Sequence, residues 1–242
     1  MILDSGAEAW QARRRPPLHP HRLAKLLESK AFTSAKADRP LVTRLYEETV
    51  RAVLGETKKL SFGECGWDAD DAAILAEVLP MCVRCQTLNL GHNICGDAGT
   101  AALCASLVNG AMPKLNVLAL NHNQVGDVGV QAIAAAAQSG AMGFLRSLFL
   151  MHNVVGDAGC RALARALSAG AFPKIVQLSM QGNPCTGIHQ KMCRYWAVGT
   201  CTKGDACQFR HGPVPPKPDG WRELESACRD EARSPPIKCD RE

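Results

Sequence analysis

The sequence of 242 residues lacks any apolar run of about 18 residues or more, so no segment is expected to span a bilayer. Its first ten residues, MILDSGAEAW, contain neither the basic nor the apolar stretch of a secretion signal. We therefore expect an intracellular protein, cytoplasmic or nuclear. Hydrophobic residues make up 46% of the chain, which is enough to bury a core.

Motifs of common catalytic sites are also missing from the sequence. It contains no glycine-rich loop of the kind that cradles phosphates, and no nucleophile motif accompanied by its base. We therefore expect a binding protein and not an enzyme.

The net charge of +5 is unevenly distributed. Bases outnumber acids by 10 to 6 in residues 1–55 and by 4 to 1 in residues 188–214, whereas residues 56–187 carry 8 bases and 9 acids. Such local excesses permit contact with a polyanion without establishing it. The run Arg13, Arg14 and Arg15 is compatible with nucleic-acid contact or nuclear import, although a solvated tail is the simpler interpretation.

A repeat with a period of 30 residues organises the middle of the chain. The segments LNLGHN, LALNHN, LFLMHN and LSMQGN begin at residues 88, 118, 148 and 178, and a degenerate copy, LSFGEC, begins at Leu60. After the first three of the regular segments come a G-D-x-G segment and an Ala/Leu-rich stretch. The pattern predicts a short strand followed by a helix in each unit, with the units stacked as a solenoid.

The last residue of each regular segment is asparagine, and a column of asparagines is expected to bond the backbone of the turns that leave the strands. With this column, the leucine spacing and the helix, residues 56–187 resemble leucine-rich repeats of the ribonuclease-inhibitor type. The resemblance implies an α/β solenoid, a curved parallel sheet lined outside by helices. It also implies a protein partner on the concave face, without naming that partner.

Residues that alternate with the repeated leucines should face the concave side of the sheet. Phe149 and Met151 are expected there as exposed apolar groups that could anchor a partner, although single exposed apolar residues are common on any surface. The candidate partner-binding residues are Val117, Asn121, Phe149, Met151 and Gln181. The other concave positions are Thr87, Asn89, Gly91, Ala119, Ser147, Gln177 and Ser179.

Three histidines, His92, His122 and His152, recur at one register and predict a ladder with a spacing of about 5 Å. Stacked imidazoles could sense pH or bind a metal. Solvated turn residues are the simpler interpretation, because parallel ligands suit a tetrahedral metal site poorly.

Most cysteines outside the C-terminal third stand where other units carry apolar residues. Cys82 and Cys85 form a CxxC pair that is compatible with redox chemistry. However, Cys82 aligns with Met112, Met142 and Phe172, and Cys85 aligns with Leu115, Leu145 and Ile175. The alignment predicts buried thiols here and at Cys95, Cys104, Cys160 and Cys185.

The stretch CRYWAVGTCTKGDACQFRHG at residues 193–212 has the spacing C-x7-C-x5-C-x3-H. Its four candidate ligands, Cys193, Cys201, Cys207 and His211, make a closed tetrahedral set that suits one structural zinc ion. The aromatic pair after the first cysteine, the Gly-Asp before the third and the terminal His-Gly resemble the CCCH zinc-finger family.

That resemblance implies contact with single-stranded RNA through base stacking and phosphate contacts. Carried over to this chain, the stacking candidates are Tyr195 or Trp196 and Phe209, and the phosphate candidates are Lys191, Arg194, Lys203 and Arg210. The chain departs from the tristetraprolin pattern, because Lys203 replaces a second stacking aromatic and only one finger is present.

A structural role for the finger stays open as the alternative. By register, the finger takes the place of the helix in the last unit, so Ile188, Met192 and Trp196 are expected to cover Leu178 and Met180. In that case the finger is a zinc-held cap with no nucleic-acid role.

The sequence therefore predicts five segments. Residues 1–39 form a basic, proline-containing N-terminal segment, 40–55 a helical N-terminal cap, 56–187 the leucine-rich repeats, 188–213 the CCCH finger, and 214–242 a Pro-rich linker and flexible tail with at most one short helix. The expected function is a zinc-binding adaptor in which the repeats bind a protein and the finger contacts RNA. The alternative is a protein-interaction scaffold with a structural finger.

Overall fold

A computed structural model describes residues 14–32, 35–186, 219–229 and 237–240. Within these ranges the helices are α1 (Pro20–Glu28), α2 (Ala35–Glu56), α3 (Ala69–Val78), α4 (Gly96–Val108), α5 (Asp127–Gln138), α6 (Asp157–Ser168) and α7 (Asp219–Cys228). The strands are β1 (Lys59–Ser61), β2 (Thr87–Asn89), β3 (Val117–Ala119), β4 (Ser147–Phe149), β5 (Gln177–Ser179) and β6 (Lys238–Asp240). Short 3-10 turns span Leu79–Met81 and Pro184–Thr186.

The six strands form one parallel sheet in the order of the sequence. The register places Leu60, Leu88, Leu118, Leu148 and Leu178 side by side, and all five are buried. Each strand up to β4 is followed by a helix that packs on the helix of the next unit. The predicted α/β leucine-rich-repeat solenoid is therefore confirmed.

The asparagine column forms as expected. Asn153 accepts hydrogen bonds at Oδ1 from the amides of Asn123 (2.8 Å) and Val125 (3.0 Å) in the preceding unit. Its Nδ2 donates to the carbonyls of Leu120 (2.8 Å) and Leu150 (3.0 Å). These bonds satisfy backbone groups that the short strands leave unpaired within the buried turn.

The G-D-x-G segment joins neighbouring units through its aspartate. The Asp97 carboxylate accepts hydrogen bonds from the amides of Gly126 (2.6 Å) and Gly129 (2.9 Å) in the next unit. The carboxylate thereby caps the N-terminus of α5. A Cβ at Gly129 would lie 2.7 Å from Asp97 Oδ1, so the final glycine makes room for the carboxylate. Asp127 repeats the arrangement with Gly156 and Gly159.

The N-terminal helix differs from the prediction. The sequence predicts that Leu41, Leu45, Tyr46, Val50, Val53 and Leu54 of residues 40–55 pack on the first unit. Helix α2 is longer, Ala35–Glu56, and of these residues only Leu54 is buried, whereas Leu41, Leu45 and Val53 are exposed. Helix α2 has 22 residues and is about 33 Å long, so it is longer than the helices of the units, which have 10 to 13 residues. Only the last turns of α2 therefore reach the first unit.

Part of the N-terminal segment is held against the first unit. The indole Nε1 of Trp67 donates to the carbonyl of Arg14, and Pro16 is buried. The Tyr46 hydroxyl accepts a hydrogen bond from the Leu18 amide and donates one to the Leu18 carbonyl, which connects the segment to α2. Arg14 and Arg15 are exposed side chains on this anchored segment, and Arg13 lies outside the described residues.

The prediction of a flexible tail is wrong for residues 219–229 and 237–240. Helix α7 packs on α6 and buries Trp221, Leu224 and Cys228, while β6 pairs with β5 and places Cys239 beside Leu178. Gly220 has the place in α7 that Gly159 has in α6, because a Cβ at either glycine would overlap the aspartate that begins the preceding helix. The sequence prediction missed that the amphipathic helix resumes the repeat.

The fifth unit is therefore complete but interrupted. Cys239 follows Leu178 by 61 residues, whereas Leu178 follows Leu148 by 30, so the unit contains 31 additional residues. With Gly220 aligned to Gly159, Thr186 corresponds to Gly156 and Pro218 to Asp157. The additional residues are 187–217, between the 3-10 turn that follows β5 and the start of α7.

The expectation that the finger takes the place of the last helix is consequently wrong. The described helix α7 occupies that place, and β6 covers the edge of β5. Ile188, Met192 and Trp196 lie outside the described residues.

Candidate functional site

The concave face of the sheet carries no charged side chain at the alternating positions of β2 to β5 and the residues just after them. The five predicted partner-binding residues, Val117, Asn121, Phe149, Met151 and Gln181, are all half-buried on this face. Ala119 and Ser179, which the sequence also places there, are buried. The face therefore offers amide, hydroxyl and apolar groups to a ligand.

Phe149 is flanked by two small side chains on the neighbouring strands. The strand register pairs it with Ala119 on β3 and with Ser179 on β5. Phe149 and Met151 are both half-buried, and Met151 lies two residues beyond the end of β4. An aromatic side chain beside a methionine is a common anchor in protein interfaces.

The histidine ladder forms at the edge where the strands end. The ring centroids of His92 and His122 lie 4.1 Å apart and those of His122 and His152 lie 4.3 Å apart, with interplanar angles of 17° and 19°. Burial, followed by the two neighbouring imidazoles, lowers the pKa of His122. Among the described residues no group of three or more histidine, cysteine or acidic side chains is placed to hold a metal ion.

The aligned cysteines occupy the core, as their repeat positions predict. Cys82, Cys85, Cys95, Cys104, Cys160 and Cys185 are all buried free thiols. Burial raises the pKa of Cys82 to about 12 and also raises that of Cys85. A protonated, inaccessible thiol is a poor nucleophile, which argues against redox chemistry at this CxxC pair.

We expect Cys82 and Cys85 to resist alkylation in the native protein and to react fully once it is unfolded in urea. Peptide mapping by mass spectrometry after a timed exposure to iodoacetamide measures both rates. Because the two sites are buried, their native rates should be at least about a hundredfold below those in the unfolded chain. Rapid native labelling of either residue would support the redox interpretation instead.

The predicted zinc ligands and RNA-binding residues lie outside the described residues. These are Cys193, Cys201, Cys207 and His211, together with Lys191, Arg194, Tyr195, Trp196, Lys203, Phe209 and Arg210. The described elements before and after this stretch, the turn Pro184–Thr186 and helix α7, contact each other.

Comparison with protein families finds matches to segments of the repeats and to the cysteine-containing stretch. Residues 111–134 and 144–164 match a family model described as Leucine Rich repeat. Residues 193–211 match a CCCH-type model described as Zinc finger domain. The chain therefore contains leucine-rich repeats and a CCCH-type zinc finger, whereas the ribonuclease-inhibitor type of the repeats remains a prediction.

No curated protein matches the chain significantly. In the part of the chain that the structure describes, no helix combines the length and the apolar character that crossing a bilayer requires.

The matched zinc-finger segment lies wholly inside the 31-residue insertion. Residues 193–211 leave six residues of the insertion on either side, 187–192 and 212–217. The donor set fits zinc, because three thiolates and one imidazole are the ligands of closed structural zinc sites. When bound, zinc supplies most of the folding free energy of such a small module.

Proposed function

We propose that this protein is a zinc-binding adaptor whose repeats bind a protein partner and whose single CCCH finger contacts single-stranded RNA. The finger holds one zinc ion through Cys193, Cys201, Cys207 and His211 as a structural site. In this proposal the chain performs no catalysis, and it acts inside the cell, in the cytoplasm or the nucleus.

The observation that carries the RNA role is the complete C-terminal end of the solenoid. Helix α7 completes the fifth unit and strand β6 pairs with its strand β5, so the finger is not needed to close that unit. A module that is not needed to cover the solenoid end is free to bind a ligand. Residues 188–214 carry four bases and one acid, and aromatic residues stand at the expected stacking positions, which favours a binding role.

The protein-binding role rests on the concave face. Its uncharged character predicts a partner that docks through apolar and amide contacts, with Phe149 and Met151 as the anchor and Val117, Asn121 and Gln181 around them. Such an interface should depend little on salt, in contrast to an RNA interface made with lysine and arginine.

Binding of fluorescently labelled poly-uridine and mixed-sequence RNA 12-mers to the full-length protein tests the RNA role. We expect weak, salt-dependent binding, because one finger stacks few bases at about 1 to 3 kcal/mol each. Phe209→Ala should weaken binding about tenfold or more, and Arg210→Ala should reduce the salt dependence. Phe144→Ala, which removes an exposed aromatic on the solenoid, is the matched control and should leave binding unchanged.

Absence of salt-dependent binding to either RNA, in protein that carries its zinc, would contradict the RNA role. The chain would then be a protein-interaction scaffold with a structural finger. Equal loss of binding in Phe209→Ala and Phe144→Ala would likewise show that the finger does not carry the contact.

A further inference from the structure

The exposed side chain of Arg14 lies at the N-terminal end of the concave face. Its backbone is fixed there, because the carbonyl of Arg14 accepts a hydrogen bond from the indole of Trp67, a residue that is 1% exposed. Pro16 is buried, and the two hydrogen bonds between Leu18 and Tyr46 hold the next part of the segment. Arg14 therefore belongs to the folded first unit and not to a solvated tail.

A small surface pocket, the Arg14 pocket, is formed where the N-terminal segment meets the first two strands. Its volume is about 170 Å³, which is enough for one small polar group. Ser61 and Asn89 pair in the register of β1 and β2, so the pocket continues the row of the concave face that contains Ala119 and Phe149. The lining residues are Arg14, Ser61, Gly63, Glu64, Cys65 and Asn89.

The Arg14 pocket contains hydrogen-bond donors that no described residue uses. The guanidinium of Arg14 has no ion-pair partner in the described part of the chain. The Oδ1 of Asn89 accepts a hydrogen bond from the Gly91 amide at 2.9 Å, which leaves its Nδ2 as a donor. A Cβ at Gly63 would lie 3.9 Å from that Nδ2, so the glycine keeps the space beside the donor open. With the exposed hydroxyl of Ser61, this donor set fits a carboxylate.

The charge of Arg14 acts on the interior of this pocket. Burial raises the pKa of the Cys65 thiol, the nearby guanidinium of Arg14 lowers it, and the carboxylate of Glu64 raises it. Cys65 therefore lies in the field of both charges. Because Glu64 also lines the pocket, a ligand with several successive negative charges is repelled. The pocket thus favours a single carboxylate over the phosphates of a nucleic acid.

We propose that the Arg14 pocket binds one aspartate or glutamate side chain of the protein partner, while an apolar side chain of the same segment packs on Phe149 and Met151. This inference deepens the proposed protein-binding role and rests on it. Neighbouring strands are about 4.8 Å apart, so Asn89 and Ser61 lie about 10 and about 14 Å from Phe149. An extended chain rises about 3.3 Å per residue, so the acidic and apolar residues of the partner are expected about three to four positions apart.

Selection of random 12-residue peptides displayed on phage, with the full-length zinc-loaded protein as the target, tests the proposal. We expect the enriched peptides to contain one aspartate or glutamate about three to four positions from a large apolar residue. The most enriched peptide is then synthesised in two versions, as selected and with its acidic residue replaced by the corresponding amide. Fluorescence anisotropy measures the affinity of both versions.

Arg14→Gln should weaken binding of the acidic peptide at least about tenfold, because it removes charge-assisted hydrogen bonds to the carboxylate. The same substitution should leave binding of the amide version unchanged. Arg15→Gln removes an adjacent exposed arginine that does not line the pocket, so it is the matched control and should bind both peptides like the wild type. Only the carbonyl of Arg14 bonds to Trp67, so glutamine should preserve the fold, and equal midpoints of urea unfolding check this.

Phe149→Ala distinguishes failure of this inference from failure of the proposed protein-binding role. Peptides that lose binding in Phe149→Ala but show no acidic preference, or that bind Arg14→Gln as well as the wild type, would overturn the inference alone. Peptides insensitive to Phe149→Ala, or the enrichment of none, would overturn it together with the role of the concave face. Loss of RNA binding in Arg14→Gln with unchanged peptide binding would assign Arg14 to the nucleic-acid interface, which overturns the inference as well.

Discussion

Replacement of Asn153 by alanine is expected to destabilise the solenoid by about 3 to 5 kcal/mol. The side chain is buried and makes four hydrogen bonds of 3.0 Å or less to backbone groups of two units. Alanine removes all four bonds, and the amides of Asn123 and Val125 are left without the carbonyl oxygen that they share. Each unsatisfied buried group costs about 1 to 3 kcal/mol, and water that enters the small cavity offsets part of this.

Urea unfolding followed by circular dichroism measures this effect. The matched control is Asn121→Ala, because Asn121 is half-buried on the concave face and should contribute less than about 1 kcal/mol. A midpoint shift for Asn153→Ala no larger than that for Asn121→Ala would contradict the role of the asparagine column.

Replacement of Trp221 by alanine is expected to cost about 3 to 5 kcal/mol in the docking of the C-terminal unit. Trp221 is 1% exposed and is the largest side chain between α7 and α6. Because neighbouring units in a solenoid contact only each other, the loss should be confined to the C-terminal end.

Limited proteolysis with mapping of the cleavage sites detects that local loss. In zinc-loaded protein, Trp221→Ala should admit rapid cleavage in residues 219–240 and leave residues 56–168 resistant. The control is Arg222→Ala, which removes an exposed neighbour in the same helix and should behave like the wild type. Equal resistance of Trp221→Ala and Arg222→Ala would mean that α7 does not cover the solenoid end.

The repeating part of the fold could be predicted from the sequence because its signals are local and periodic. Leucines at 30-residue spacing define the strands, and the invariant place of Asn93, Asn123, Asn153 and Asn183 defines the turns. The same alignment identifies Cys82 and Cys85 as core residues. Each of these inferences needs only a comparison of one unit with the next.

The C-terminal end could not be predicted in the same way, because the insertion breaks the period. Residues 187–217 move the last helix out of register, and β6 carries Cys239 where the other strands carry leucine. A signal was present: Gly220, Trp221, Leu224 and Cys228 have the spacing of the buried face of α6. That spacing becomes meaningful only when the 31 residues before it are removed from the alignment.

The prediction of a buried face on the N-terminal helix failed for a different reason. Apolar residues at helical spacing predict a buried face, yet Leu41 and Leu45 lie on turns of α2 that extend beyond the first unit. Periodicity gives the direction in which a side chain points relative to its helix axis, but it does not give the length of the surface against which the helix packs. The positions of the concave candidates follow from strand alternation alone, and their role in partner binding stays a prediction.

The folding of the chain that lacks residues 187–217 tests the central claim most directly, namely that a zinc finger interrupts a solenoid that is otherwise complete. The account predicts a folded protein that binds no zinc, unfolds in urea in one cooperative transition, and protects α7 from hydrogen exchange as well as the zinc-loaded wild type does. An aggregated product, or a folded one in which residues 219–228 exchange freely, would contradict the account, because the finger would then be part of the solenoid end.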